Sequence, residues 1–160
     1  AVRALDQELP RAALPIVVIL NPPAWSVPWF QSALRASQDE VGPPVYALYA
    51  GSQSLAIQRL DDRSLELHVA RSWLATPFEQ NLRNLARAPF RAGDRISLAH
   101  LNIEVREVNA ASAPTRVLFT FQRSLDDPGL TFRYWEGSKV ARWTPPPVGG
   151  GAQLPAAALF

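Results

Sequence analysis

The sequence contains neither cysteine nor methionine. Without cysteine the chain has no disulfides, thiolate metal sites or cysteine nucleophiles. A cysteine-free chain fits either redox compartment but favours an oxidising one, where stray thiols are a liability. Because methionine is missing even at position 1, we expect the chain to begin after processing or to be a piece of a longer protein.

Long hydrophobic runs are also missing. The longest lies at Ala12–Leu20 and contains Pro15. A membrane-spanning helix needs roughly 20 consecutive apolar residues, far more than this run supplies. The sequence therefore predicts neither a transmembrane segment nor a signal peptide within its 160 residues.

An excess of charge of either sign is absent. Sixteen basic residues stand against 14 acidic ones, which gives a net charge of +2. Such a balance is not the electrostatic footprint of a nucleic-acid-binding protein. Lys139 is the only lysine, and this bias towards arginine indicates GC-rich coding rather than an arginine-rich binding surface. A hydrophobic content of 48% is ordinary for one globular domain.

The pattern of apolar residues predicts an α+β fold dominated by β-structure. Ile16–Leu20 is a continuous, mostly β-branched run, typical of a strand buried on both faces. From Val45 onward apolar and polar residues alternate, which is typical of strands with one buried face. Short helices are predicted from Val27 to about Ser37 and from Pro77 to Arg87. We expect roughly eight strands, mostly antiparallel, in a sandwich or partly open barrel with two or three short helices.

Three segments follow from this pattern. Residues 1–13 are predicted to form an N-terminal arm or short helix, and residues 14–143 a single β-rich domain. Residues 144–160 form a C-terminal tail rich in proline and glycine. Its composition is typical of a linker or docking arm rather than a strand.

Few residues suggest catalysis or metal binding. His68 and His100 both fall in strand patterns, where we expect exposed histidines without convergent partners. The acid pairs Asp61-Asp62 and Asp126-Asp127 lack the alternation of a calcium loop, so we predict that they serve turns. Nothing singles out two of the 14 acids as a glycosidase pair. The sequence therefore predicts no catalytic residue, no metal site and no cofactor.

Aromatic and basic residues are concentrated between Phe132 and Pro147. Alternation on either side of Gly137 predicts two short strands, with Phe132 and Tyr134 facing the core. The residues that remain as candidates for a contact surface are Arg133, Trp135, Arg142 and Trp143. The sequence favours a structural interpretation for these rings, in which the proline-rich tail or a helix covers Trp135 and the arginines lie over the rings; an open stacking surface is the alternative.

Several turn and strand motifs follow one another between Phe90 and Val148. They are Gly93-Asp94-Arg95-Ile96-Ser97-Leu98, Val117-Leu118-Phe119-Thr120-Phe121, Leu125-Asp126-Asp127-Pro128, Trp135-Glu136-Gly137 and Trp143-Thr144-Pro145-Pro146-Pro147-Val148. This order resembles the carboxy-terminal extracytoplasmic β domain of uncharacterised multi-pass membrane proteins from GC-rich bacteria. The resemblance implies a domain outside the cytoplasmic membrane that follows transmembrane helices, and it supplies no catalytic residues.

These features together predict a non-catalytic extracytoplasmic domain of a bacterial membrane or envelope protein, membrane-tethered or secreted. Its partners would be proteins, such as subunits of a membrane-protein complex, and upstream segments would provide any membrane association. The alternative is a carbohydrate- or peptidoglycan-binding module, with or without hydrolase activity, that stacks sugars on surface tryptophans. Open rings at Trp135 and Trp143 would favour sugar binding, whereas covered rings would favour a structural role.

Overall fold

The computed structural model describes residues 15–23, 42–50, 53–136 and 139–157. Over these residues the chain forms ten β-strands and one α-helix, α1 (Pro77–Leu82). The strands are β1 (Ile16–Ile19), β2 (Val45–Ala47), β3 (Leu55–Arg59), β4 (Ser64–Val69), β5 (Arg95–Ser97), β6 (Leu101–Val108), β7 (Pro114–Phe121), β8 (Leu130–Glu136), β9 (Lys139–Trp143) and β10 (Gly151–Leu154).

The prediction that β-structure dominates is confirmed, with more strands than the roughly eight expected. The arm at residues 1–13, the helix from Val27 to about Ser37 and the turn at Gly137-Ser138 lie outside the described residues. The expectation of two or three helices therefore stays a prediction beyond α1. Among the described residues, no helix is long and apolar enough to cross a membrane.

The strands form two hydrogen-bonded sheets. One has four strands in the order β2-β1-β8-β9, and the other has six in the order β10-β3-β4-β7-β6-β5. Buried residues of both sheets belong to one hydrophobic core. This arrangement is consistent with the predicted β-rich sandwich, and the strands of the described part do not close into a barrel.

Strand β1 lies between β2 and β8 and is parallel to both. Ile16 and Val18 belong to the shared core, and Ile19, on the opposite face by alternation, is also buried. The prediction of a strand buried on both faces is therefore confirmed. Parallel neighbours require a crossover connection, and the connection from β1 to β2 includes residues 24–41.

The six-stranded sheet is antiparallel throughout. In β4, Leu65 and Leu67 are buried while His68 is exposed, so the two faces alternate as predicted. Leu65 lies opposite Phe119 of β7, also in the core. The inner face of this sheet is therefore apolar and its outer face polar.

Helix α1 begins with a capping box at Thr76 and ends at Leu82, before the predicted end at Arg87. Asn84 explains the difference. Its side-chain oxygen accepts hydrogen bonds from the backbone N–H groups of Ala86 and Arg87, at 3.1 and 3.3 Å. These bonds replace the helical pattern with a turn, because asparagine offers the backbone a local alternative to the helix.

The C-terminal tail was predicted not to be a strand, and this prediction was wrong. Gly151–Leu154 pairs antiparallel with β3, and Leu154 lies opposite Leu55. Leu154 belongs to the shared core, so its burial fixes the tail against the sheet. The average composition of residues 144–160 hid this strand, because glycine and proline are concentrated before it.

Candidate contact surface

The hairpin of β8 and β9 contains all four residues that the sequence singled out for contact. We call two residues that lie directly opposite each other on β8 and β9 a rung. Side chains on one rung of a hairpin share a face, and successive rungs alternate between faces. The rungs that contain the four candidates are Phe132 with Trp143, Arg133 with Arg142, and Trp135 with Val140. The first of these lies on the core face. The other two lie on the opposite face of the sheet, called the outer face here, where Ile19 of β1 is buried beside Arg133.

Trp143, which the sequence placed among the candidates for a contact surface, lies in the hydrophobic core. Its side chain is 9% exposed, and its ring packs edge-on against Phe132 at a centroid distance of 5.6 Å. The reason is the hairpin register, which places Trp143 beside Phe132 on the core face. A sequence without the register could not decide between the two faces.

Arg133 and Arg142 lie directly opposite each other on the outer face. Arg133 is half-buried and Arg142 is exposed. Like charges on one rung repel each other, and no described acid forms an ion pair with either guanidinium. The structure thus brings two of the predicted contact residues together on paired positions of β8 and β9.

Trp135 and Val140 form the neighbouring rung of the same face. Trp135 is half-buried, while Val140 is 46% exposed. We call Arg133, Trp135, Val140 and Arg142 the arginine–tryptophan surface. Sequence reasoning missed Val140, although its alternation with Arg142 already placed the two side chains on one face.

Asn21 holds the backbone of Trp135 from inside the fold. The Trp135 N–H donates to Asn21 Oδ1 at 2.8 Å, and Asn21 Nδ2 donates to the Trp135 carbonyl at 3.4 Å. The same Nδ2 donates to the carbonyl of Pro155 at 3.3 Å. Asn21 is fully buried, so one amide fixes both the β8 end of the surface and the tail.

The outer face of the six-stranded sheet shows the opposite arrangement of charge. There, arginines and glutamates alternate in a continuous chain of ion pairs, at N–O distances from 2.6 to 3.9 Å. In spatial order the chain is Arg95, Glu104, Arg106, Glu66, Arg116 and Glu107. This face neutralises its own charges, whereas none of the acids that the structure describes forms an ion pair with the arginine–tryptophan surface.

One acid of each pair serves its turn, as predicted. Asp61 accepts from the Arg63 N–H and Asp127 from the Gly129 N–H, both at 2.7 Å. Hydrogen bonding from the Arg63 backbone lowers the pKa of Asp61. The sequence did not indicate that the two turns meet in space, where the Leu125 N–H donates to the Asp62 carbonyl at 2.9 Å.

The two histidines differ from each other. His68 is exposed on β4, as predicted. His100 is not an exposed strand residue, which corrects the prediction: it is half-buried in the turn between β5 and β6. Its Nδ1 lies 2.8 Å from the Tyr46 hydroxyl, and this hydrogen bond joins the two sheets.

Over the described residues, no three side chains of His, Asp or Glu are grouped so as to hold a metal ion.

A cleft of about 590 Å³ lies between α1 and the loop that precedes β7. Its polar lining includes Arg71, Asn81, Asn84 and Asn109. Its described lining contains neither a histidine nor a carboxylate, and its arginines and asparagines offer hydrogen-bond donors.

Comparison of the chain with models of protein families, with curated proteins and with solved structures found no match.

Proposed function

We propose that this chain is a non-catalytic extracytoplasmic domain of a bacterial membrane or envelope protein and that it acts through contact with another protein. The contact element is the arginine–tryptophan surface. Its partner is an acidic region of a protein, because carboxylates would neutralise the guanidinium groups of Arg133 and Arg142.

The direct opposition of Arg133 and Arg142 carries this proposal. A folded chain gains nothing from placing two cations on one rung, and described acids pair with arginines elsewhere but not here. Trp135 and Val140 add apolar area beside the charges. Tryptophan and arginine are also the residue types enriched at the energetic centres of protein interfaces.

Carbohydrate binding has less support. A stacking platform needs aromatic rings that are open to solvent, and Trp143 lies in the core. Trp135 is then the single tryptophan on the outer face of the β8–β9 hairpin, and it is half-buried.

The extracytoplasmic location rests on two features of the sequence. The absence of cysteine suits an oxidising compartment, and the motifs from Phe90 to Val148 resemble those of extracytoplasmic β domains. A fusion of the full-length protein to alkaline phosphatase, which needs disulfides to fold, tests it. Enzyme activity in growing cells is expected, and an inactive but stable fusion would refute the location.

Photo-crosslinking tests the contact. A photoreactive amino acid replaces Val140 in the full-length protein, and the same amino acid at His68, exposed on the other sheet, serves as the matched control. We expect a discrete crosslinked protein partner from position 140 and none from position 68. The double variant Arg133→Glu, Arg142→Glu should abolish the crosslink, because it would repel an acidic partner.

Two results would contradict the proposal. One is an identical crosslinking pattern from positions 68 and 140, which would indicate nonspecific collisions. The other is a crosslink from position 140 that survives reversal of both charges. Protection of position 140 by soluble glycan fragments would instead support the carbohydrate alternative.

A further inference from the structure

Strand β5 forms one edge of the six-stranded sheet, and its backbone groups alternate in direction. The Leu98 N–H donates to the Leu101 carbonyl, and the Val105 N–H donates to the Asp94 carbonyl, both at 2.9 Å. In an antiparallel pair, every second residue is hydrogen-bonded to the neighbouring strand. Asp94, Ile96 and Leu98 therefore face β6, whereas the N–H and C=O groups of Arg95 and Ser97 face away from the sheet.

The outward groups of β5 have no partner in the described part of the chain. In the part of the chain that the structure describes, no backbone hydrogen bond joins Arg95 or Ser97 to another element. An extended segment laid along β5 could therefore form a backbone ladder with these two residues, as in the addition of a peptide strand to an exposed sheet edge.

Apolar side chains accompany this edge. Ile96 is 48% exposed and Leu98 is 41% exposed, and both lie on the inner face of the sheet by alternation. Ile96 is opposite Ile103, which packs against the shared core. The inner face thus continues past the core as an exposed apolar strip. Every second side chain of a strand added beside β5 would pack against this strip.

The chain that leads into β5 is basic. Arginines occur at every fourth position from 83 to 95, and Asp94 is the only acid in that segment. Arg95 is paired with Glu104, while the guanidinium of Arg83 lies 3.7 Å from the centre of the Phe90 ring. Arg87 and Arg91 are exposed and have no described ion-pair partner, so the surroundings of the edge favour acidic residues in whatever binds there.

The other sheet edges carry residues that discourage pairing. Strand β9 exposes Lys139 and Arg142, prolines 43 and 44 precede β2, and Pro155 follows β10. Strand β5 differs from these edges because it contains only one charged residue, Arg95, beside the exposed Ile96. It is therefore the edge least protected against the addition of a strand.

We propose that β5 is a second docking site, which binds an extended segment of a partner protein that has apolar side chains at alternate positions and acidic residues beside them. The site is separate from the arginine–tryptophan surface, because β5 and β9 belong to different sheets. A second copy of this chain is the competing occupant. A second copy is disfavoured because its own basic segment, residues 83–95, would be brought near the basic segment of the first copy, and like charges repel each other.

Amide hydrogen exchange and peptide titration by NMR test the site on the 160-residue chain. The probe is the synthetic peptide Glu-Glu-Val-Thr-Val-Thr-Val-Glu-Glu, and its control carries lysines in place of the glutamates. We expect the Arg95 and Ser97 amides to exchange fast in the free protein and to be protected by the acidic peptide. The lysine peptide should bind more weakly, and added salt should weaken the acidic one.

The substitution Ser97→Pro removes an outward N–H without breaking the β5–β6 ladder, since proline is tolerated on strand edges. It should lower the affinity for the acidic peptide at least about fivefold, whereas Ser97→Ala should leave it unchanged. Ile96→Thr keeps the strand propensity but shrinks the apolar strip, and it should also weaken binding. His68→Ala, at an exposed position of β4 outside both proposed sites, should have no effect.

Three outcomes would overturn this proposal. The first is slow exchange of the Arg95 and Ser97 amides in the dilute free protein. The second is equal binding of both peptides, or binding that Ser97→Pro does not affect in a folded variant. The third is protection that rises with protein concentration alone, which would identify a second copy as the occupant.

Discussion

Arg59 is 3% exposed and donates two hydrogen bonds to the carboxylate of Asp126. One runs from Nη1 to Oδ1 at 3.0 Å and the other from Nη2 to Oδ2 at 2.8 Å. The same guanidinium donates to the carbonyls of Asp61 and Pro146, each at 3.1 Å. The Arg59 side chain, at the end of β3, therefore contacts the turn at Asp61-Asp62, the turn at Asp126-Asp127 and the C-terminal tail. Because guanidinium–carboxylate pairs of this geometry are bidentate and charge-assisted, the junction is specific as well as strong.

Substitution of Arg59 should destabilise the fold. Arg59→Met keeps much of the aliphatic volume but leaves two backbone carbonyls without a donor, so we expect a loss of about 2–4 kcal/mol in the free energy of unfolding. Urea denaturation followed by circular dichroism measures it. The exposed Arg63→Met serves as the control and should change stability little. A loss below about 0.5 kcal/mol for Arg59→Met would show that the junction is dispensable.

The same junction predicts a dependence of stability on pH. Hydrogen bonding by Arg59 lowers the pKa of Asp126 below its ordinary value, so the pair contributes stability above the unfolded-state pKa of about 3.9. That contribution is lost as pH falls through the lower, folded-state pKa. Asp126→Asn should therefore be less stable than wild type at pH 6, and the difference should shrink on acidification towards pH 3. A difference that stays constant with pH would contradict this account.

The sequence predicted much of the fold because alternation and burial are local signals. The inward positions of Leu65, Leu67, Phe132 and Tyr134 follow from period-two alternation alone, and the buried β1 follows from its continuous β-branched run. The parallel partners of β1 could not be predicted in this way, because pairing depends on residues distant in sequence.

The candidate surface was predicted only in part for the same reason. Alternation placed Arg133 and Trp135 on one face, but the face of Trp143 depended on the hairpin register. The strand at Gly151–Leu154 was missed because its pairing with β3 spans most of the chain. Arg59 gave no signal either, since a lone arginine in a strand pattern is usually solvated.

Asn21 should be as important for stability as a larger core residue. Asn21→Ala leaves the Trp135 N–H and the Pro155 carbonyl without their partner inside the fold, and a buried unsatisfied group costs about 1–3 kcal/mol. We expect a loss of about 2–3 kcal/mol in urea denaturation. Gln58→Ala is the matched control, because this exposed amide also bonds to a tail carbonyl, that of Gly149. Equal, small losses in both variants would contradict a special role for Asn21.

The two tryptophans of the β8–β9 hairpin should behave differently. Trp143→Ala removes a core ring that packs on Phe132 and should cost about 3–5 kcal/mol. Trp135→Ala, on the outer face, should cost about 1 kcal/mol but should weaken crosslinking from position 140. Guanidinium denaturation of both variants gives the comparison. Similar losses of stability would place both rings in the core and remove Trp135 from the contact surface.

The arginine pair should lower stability rather than raise it. Arg142→Glu replaces the repulsion on its rung by an ion pair with Arg133, so we expect a gain of about 0.2–1 kcal/mol in the free energy of unfolding. The gain should shrink in high salt, and urea denaturation at two salt concentrations measures it.

Arg106→Glu provides the matched control for this substitution. Arg106 pairs with Glu104 at 2.6 Å on the other sheet, so reversal of its charge should lower stability and not raise it. A variant at position 142 that is more stable but loses its crosslinked partner would separate the contact function from folding. If Arg142→Glu instead destabilises the chain as Arg106→Glu does, then the pair has a structural role and the contact proposal loses its main support.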